Sequence, residues 1–220
     1  MALRMIRDEK ALAAALADLV ALDNRLASIA AKVTPLPLRH ATPGFAALVR
    51  VVVSQQVSAK AAEKIYLRLE AVVGGTEGGM TPQLYLAAGP EGWKEGGLSR
   101  PKQKTIAAVA QAVLNGSLDL EALCRMEAEV AIASMTAIWG IGRWTAEVYL
   151  LFAGGHPDVF PARDLALQIA LQDCFGLDAR PNEAETIALT DAWSPLRSVA
   201  ARLMWAIYGF NRDIAAPLPA

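Results

Sequence analysis

The sequence predicts an all-α protein, and three observations lead there. Apolar residues recur every three to four positions over nearly the whole chain. Alanine and leucine, both strong helix formers, dominate the composition. Gly and Pro fall mostly between the periodic segments, where they punctuate helices. With 54% apolar and 20% charged residues in 220, the chain buries a stable core, and a disordered chain is excluded.

Asp8 is placed to cap a first helix over about 8–31, in which Leu12, Leu16, Leu19, Leu22, Leu26 and Ile29 form one stripe before the Pro35-Leu36-Pro37 break. A helix opening near Pro43-Gly44 carries Phe45, Leu48, Val49 and Val52 to about Ser54. Val51-Val52-Val53 also suits a short strand, and the helical surroundings decide for a helix. Ser58 caps the next, through Ile65, Leu69 and Val72 to Gly74-Gly75. From Gly74 to Gly97 the Gly-rich composition predicts looser connections around one short helical piece, Pro82 to Ala88. Ser99 caps a helix from Arg100 to about Leu114, stopped by Asn115-Gly116. Glu129 to Ile138 and Arg143 to Ala153 are helices joined by Trp139-Gly140-Ile141-Gly142. Helices at Arg163 to Phe175, Asn182 to about Ala192 and Pro195 to about Phe210 complete the chain, the last with Ser194 as N-cap and Pro195 in its first turn.

Several function classes lack the residues they need. Arg7, Asp8, Glu9 and Lys10 interrupt the N-terminal segment where a signal peptide would be apolar, and no stretch reaches the roughly 18 uncharged apolar residues that span a bilayer. A soluble, cytoplasmic protein with no membrane partner is expected. Two cysteines, Cys124 and Cys174, and two histidines are too few for a disulfide framework, a structural zinc site or a four-cysteine iron–sulfur cluster. The formal net charge of −1 gives no bulk support for a nucleic-acid partner, so such a partner must be argued from a local site.

That local site is the hairpin around Ile138-Trp139-Gly140-Ile141-Gly142-Arg143-Trp144-Thr145-Ala146. Glycines two apart let a backbone approach another molecule closely, and the turn ends at the N–H groups that open a helix. A phosphate there would meet the Gly140 and Gly142 amides and the positive end of the helix dipole, with Thr145 adding a hydroxyl. An ordinary turn that uses glycine to stop a helix is the competing reading. Downstream, Asp158-Val159-Phe160-Pro161-Ala162-Arg163-Asp164 puts Asp164 at the opening of a helix, 22 residues after Gly142. In isolation such an Asp would be a helix cap.

The hairpin string and the loop ending in Asp164 together resemble the helix-hairpin-helix DNA glycosylases. Within that superfamily the chain is most similar to the alkylpurine branch, the 3-methyladenine DNA glycosylase II family. Ser54-Gln55-Gln56-Val57-Ser58, Gly97-Leu98-Ser99-Arg100-Pro101-Lys102, Arg143-Trp144-Thr145-Ala146 and Trp193-Ser194-Pro195-Leu196-Arg197-Ser198 carry the narrower resemblance. The resemblance implies a two-lobed helical unit over 1–220 with the active cleft between lobes. One lobe comprises central helices at about 45–155, including the hairpin at 127–153. The other comprises the helix at 8–31 and the C-terminal helices at 163–210. Beginning in a helix, the chain resembles the compact form without an N-terminal β-domain.

It further implies a monomeric enzyme of base-excision repair, which hydrolyses the N-glycosidic bond of 3-methyladenine- and 7-methylguanine-class bases in double-stranded DNA. Trp144 stands where strand-cleaving members carry a lysine that forms a Schiff base, so the implied enzyme is monofunctional. Asp164 would stabilise the sugar cation and orient water, and Trp144 would hold the cationic base by its π face. Gln55 or Gln56 would fill the gap left by the flipped base, although both also suit helix-end capping. Lys60, Arg100, Lys102 and Lys104 could meet phosphates or simply be solvated charges. His156 is read as a structural or solvated loop residue, and Trp205, Tyr208 and Tyr149 as core. No cofactor is required, and neither zinc nor an iron–sulfur cluster is expected. The resemblance suggests a sodium or potassium ion on the main-chain carbonyls of Thr136, Ile138 and Gly140. Leu196 replaces an aromatic found in some members, which bears on substrate breadth. A glycosylase of the same fold for another lesion, and a non-catalytic DNA-binding module that keeps the glycines without needing Asp164, are the alternatives.

Overall fold

The computed structural model describes residues 4–74 and 79–214. In chain order it holds α1 (Glu9–Leu22), a 3-10 turn (Asn24–Leu26), α2 (Ala27–Val33), α3 (Phe45–Ser54), α4 (Ala59–Val73), α5 (Pro82–Glu95), α6 (Arg100–Leu114), α7 (Leu120–Leu123), α8 (Ala128–Thr136), α9 (Arg143–Tyr149), a π-helical turn (Leu150–Gly154), α10 (Leu165–Phe175), α11 (Glu183–Asp191) and α12 (Arg197–Asn211). The described residues contain no β-strand, as the apolar spacing predicts. No described helix is long and apolar enough to cross a membrane. Of the Gly74-Gly75 stop, Gly74 takes the left-handed conformation, and Gly75 lies outside the described residues.

The helices begin where side chains satisfy their first N–H groups. Asp8 accepts from Ala11 N at 2.7 Å, Ser58 from Ala61 N, and Asn182 forms a reciprocal capping box with Glu185. Four expectations need correction. The helix expected at 8–31 breaks at Asp23, whose carboxylate accepts from Arg25 and from the Trp193 indole at 2.9 Å. The break leaves Leu22 half exposed and outside the stripe. The Gly74–Gly97 segment is more ordered than its composition suggests. α5 runs on to Glu95, kinked where Gly89 takes a positive φ before Pro90, because Trp93 stacks on buried Tyr85 at 4.8 Å and donates to its carbonyl. The short α7 was not anticipated, its four residues being too few for a periodic signal; Asp119 caps it. α12 starts at Arg197, not Pro195, and Ser194 does not cap it: its hydroxyl donates to Asp158, and the first N–H groups of α12 go to Asp158 and the Pro157 carbonyl.

The described residues divide into two compact units, one formed within Ala41–Tyr149 and the other by residues 4–40 together with 150–214. In the first, α3 is the centre and packs on α4, α6 and α9, burying Leu48, Val49, Val51, Val52 and Val53. In the second, α12 is the centre and packs on α1, α2 and α10, with Val199 to Trp205 wholly buried. Arg202 in that helix is 2% exposed. It donates to the Leu38 and Leu151 carbonyls and lies 4.7 Å from the Phe152 ring centroid, which compensates much of its desolvation. Burial still lowers its pKa to about 10.

Candidate functional site

In the Ala41–Tyr149 unit, the turn between α8 and α9 is anchored by Ile141, 5% exposed, and by backbone bonds from Ile138 N to Met135 O and from Ile141 N to Ile138 O. Arg143 ties the two helices by donating to both carboxylate oxygens of Glu129 on α8 and to Glu147 on α9. The two glycines have different jobs. Gly140 has φ +83°, and a Cβ there would lie 2.0 Å from Thr105 Oγ1, so α6 presses directly on it. Gly142 is exposed, has no left-handed φ, and would place a Cβ in open space. The left-handed backbone is therefore at Gly140, and Gly142 is the position whose missing side chain leaves room for another molecule.

Thr145 also departs from expectation. It is 2% exposed, and its Oγ1 accepts from Gln55 Nε2 at 2.8 Å, so it holds the 55–58 loop and offers no exposed hydroxyl. Lys102, a candidate phosphate contact, instead donates to the Val53 and Gln55 carbonyls at 2.8 and 2.9 Å. Burial lowers its pKa. Gln56, next along, is exposed with φ +57°, an uncommon conformation for a residue bearing a side chain. Trp144 is half-buried in the first turn of α9. Lys60, Arg100 and Lys104 are exposed.

Asp164 belongs to the other unit. It is the N-cap of α10, half-buried, and its Oδ1 accepts both from Leu167 N at 3.0 Å and from the Trp205 indole at 3.1 Å. The loop before it is pinned at several points. Asp158 accepts from Arg197 and Ser194, Ser198 bonds both the N–H and the carbonyl of Val159, and Gln168 donates to the Ala162 carbonyl. Burial pushes the Asp158 carboxyl upward, and the Arg197 and Ser194 hydrogen bonds outweigh it, leaving the pKa lowered. The Trp193-to-Ser198 string thus acts as a clamp on the Asp164 loop. His156, 2% exposed, accepts from Asp158 N at its Nδ1, which is the structural role and not the solvated one.

Trp205 is 0% exposed, as its apolar run predicts, and its N–H donates to Asp164, a bond the run does not specify. A buried indole N–H needs an acceptor, and that requirement was the available signal. Its ring stacks on Phe152 at 5.5 Å, so the donor is held rigidly.

A family profile described as "HhH-GPD superfamily base excision DNA repair protein" matches residues 49–195. The alkylbase DNA glycosidase-like protein mag2 of Schizosaccharomyces pombe is 30% identical over 199 residues, covering 88% of this chain and 92% of that protein. The S. pombe 3-methyladenine DNA glycosylase Mag1, solved in complex with abasic DNA, superposes with TM-score 0.80 at 27% identity, over 90% of this chain and 96% of that one. A DNA-3-methyladenine glycosidase from Bacillus halodurans gives TM-score 0.76 at 31% identity, over 93% of each chain.

Proposed function

Since the chain belongs to the HhH-GPD superfamily of base excision DNA repair proteins, we propose that it is a monofunctional DNA glycosylase releasing alkylated purines of the 3-methyladenine and 7-methylguanine class. The observation that carries this reading is Asp164, a carboxylate fixed by two N–H donors at the end of a loop that other residues pin. A base alkylated on a ring nitrogen is already cationic and leaves with the glycosidic electron pair without needing a general acid. The positive charge then developing on the deoxyribose is stabilised by the carboxylate, which also orients the water that completes hydrolysis. Trp144 holds the cationic base through its π face.

Gly142 and Gly140 amides take a backbone phosphate of double-stranded DNA, and Gln56, exposed and with a left-handed φ, fills the gap left by the flipped base. The carbonyls of Thr136, Ile138 and Gly140 are uncharged hard oxygens suited to sodium or potassium. That of Ile138 already accepts from Ile141 N and retains a second lone pair. When bound, such an ion supplies positive charge toward the same phosphate. No zinc, iron–sulfur or organic cofactor enters the reaction. The enzyme acts inside the cell, as a monomer, on DNA.

Incubation with methylated duplex DNA is expected to release free 3-methyladenine and 7-methylguanine, read by chromatography. DNA binding without base release would leave the non-catalytic module. Because Trp144 provides no amine, borohydride should trap no enzyme–DNA adduct, and strand breaks should appear only after alkali; a trapped adduct would overturn the monofunctional assignment. Trp205→Phe keeps an aromatic ring at a buried position but removes one fused ring, leaving a cavity, together with the N–H to Asp164. It should cost about 2 kcal/mol of stability and slow excision severalfold, with DNA affinity unchanged. Unchanged single-turnover excision would show that the indole bond does not serve Asp164.

A further inference from the structure

The loop that follows α3 is unusually well held for an exposed turn. At the C-terminus of a helix the last carbonyls lack intrahelical partners and are commonly met by water or by a glycine-based cap. Here the residue that turns left-handed is Gln56, not glycine, and its side chain is exposed. The Val53 and Gln55 carbonyls on either side of Ser54 are taken by a single ammonium from α6, that of Lys102. A point charge with rotatable donors can serve both carbonyls and also complements the negative end of the α3 dipole. On its other side the loop is tied to the hairpin, because Gln55 Nε2 donates to Thr145 in the first turns of α9. Thr145 is buried, so this tie is fixed relative to Gly142 three residues earlier.

We propose that Lys102 is a positioning residue for base flipping, holding the Gln55–Gln56 turn in its left-handed form before DNA arrives and, with Thr145, in fixed register to the hairpin turn. This rests on the glycosylase reading above and deepens it. A wedge built in advance loses little conformational freedom when it enters the stack, so the clamp acts on flipping and leaves phosphate binding and bond cleavage alone. Lys102→Met keeps the length of the side chain and removes the ammonium.

The test is single-turnover excision from two duplexes carrying the same alkylated base, one with the lesion paired and one with it in an unpaired bubble, where unstacking is already largely complete. For Lys102→Met, excision from the paired duplex is expected to fall about tenfold and from the bubble less than about twofold, with affinity for undamaged duplex retained and Lys102→Arg recovering most of the loss. Thr145→Val, which removes the Gln55 anchor by another route, should give the same split. It serves as the test if thermal melts show Lys102→Met to be unfolded. Equal losses on both substrates, or none, in folded variants would overturn the proposal while wild-type release keeps the glycosylase reading intact. Absence of release by the wild type from either substrate would overturn both.

Discussion

Asp164→Asn is expected to reduce base excision by at least about 100-fold while leaving fold and DNA affinity in place. The structure makes this substitution unusually clean. Asp164 caps α10, and asparagine is among the best N-capping residues, so an amide oxygen can still accept from Leu167 N and from the Trp205 indole. The change in stability should stay within about 0.5 kcal/mol for so similar a cap. What disappears is the negative charge beside the forming sugar cation, and nothing else in the loop replaces it: Asp158 already accepts from Arg197 and Ser194. Single-turnover release of 7-methylguanine, with melts and duplex titrations on the same samples, reads the three quantities separately. Wild-type release by a folded variant would remove Asp164 from the chemistry.

The parts of this molecule that were legible in the sequence are those decided locally. α3, α4, α6 and α8 to α11 follow from apolar spacing and from caps within three residues, such as Ser58 and Asn182, because both signals act inside one helix. The hairpin was legible for the same reason: its glycines and apolar anchors are contiguous. Whatever depended on a distant partner was not. The break at Asp23 is held by Arg25, two residues on, and also by Trp193, 170 residues away, and the Trp205 bond to Asp164 spans 41. The direction of Thr145 is fixed by Gln55, 90 residues earlier, which turned an expected phosphate contact into an internal tie. The glycine pair shows the limit most sharply, since spacing marks both residues as special without saying which one is crowded.

Gly140→Ala and Gly142→Ala should therefore fail in opposite ways. At Gly140 the new methyl meets Thr105 Oγ1 at 2.0 Å and Thr105 Cβ at 2.9 Å, with φ at +83°. Thr105 cannot easily give way, being 4% exposed and donating its hydroxyl to the Pro101 carbonyl. Overpacking and the left-handed backbone together should cost about 3 kcal/mol, lowering the melting temperature and loosening α6 from the hairpin. At Gly142 the methyl enters open space with no left-handed φ to strain, and the Gly142 carbonyl still accepts from Ala146 N. Exchanging glycine for alanine at this helix opening should alter stability by less than about 1 kcal/mol. If the space above Gly142 is where a phosphate sits, affinity should drop about tenfold for damaged and undamaged duplex alike, because a backbone contact carries no base information. Melts and anisotropy titrations of both variants decide the matter: a folded Gly142→Ala protein that binds undamaged duplex as the wild type does would take the hairpin out of the DNA interface, whatever Gly140→Ala does to stability.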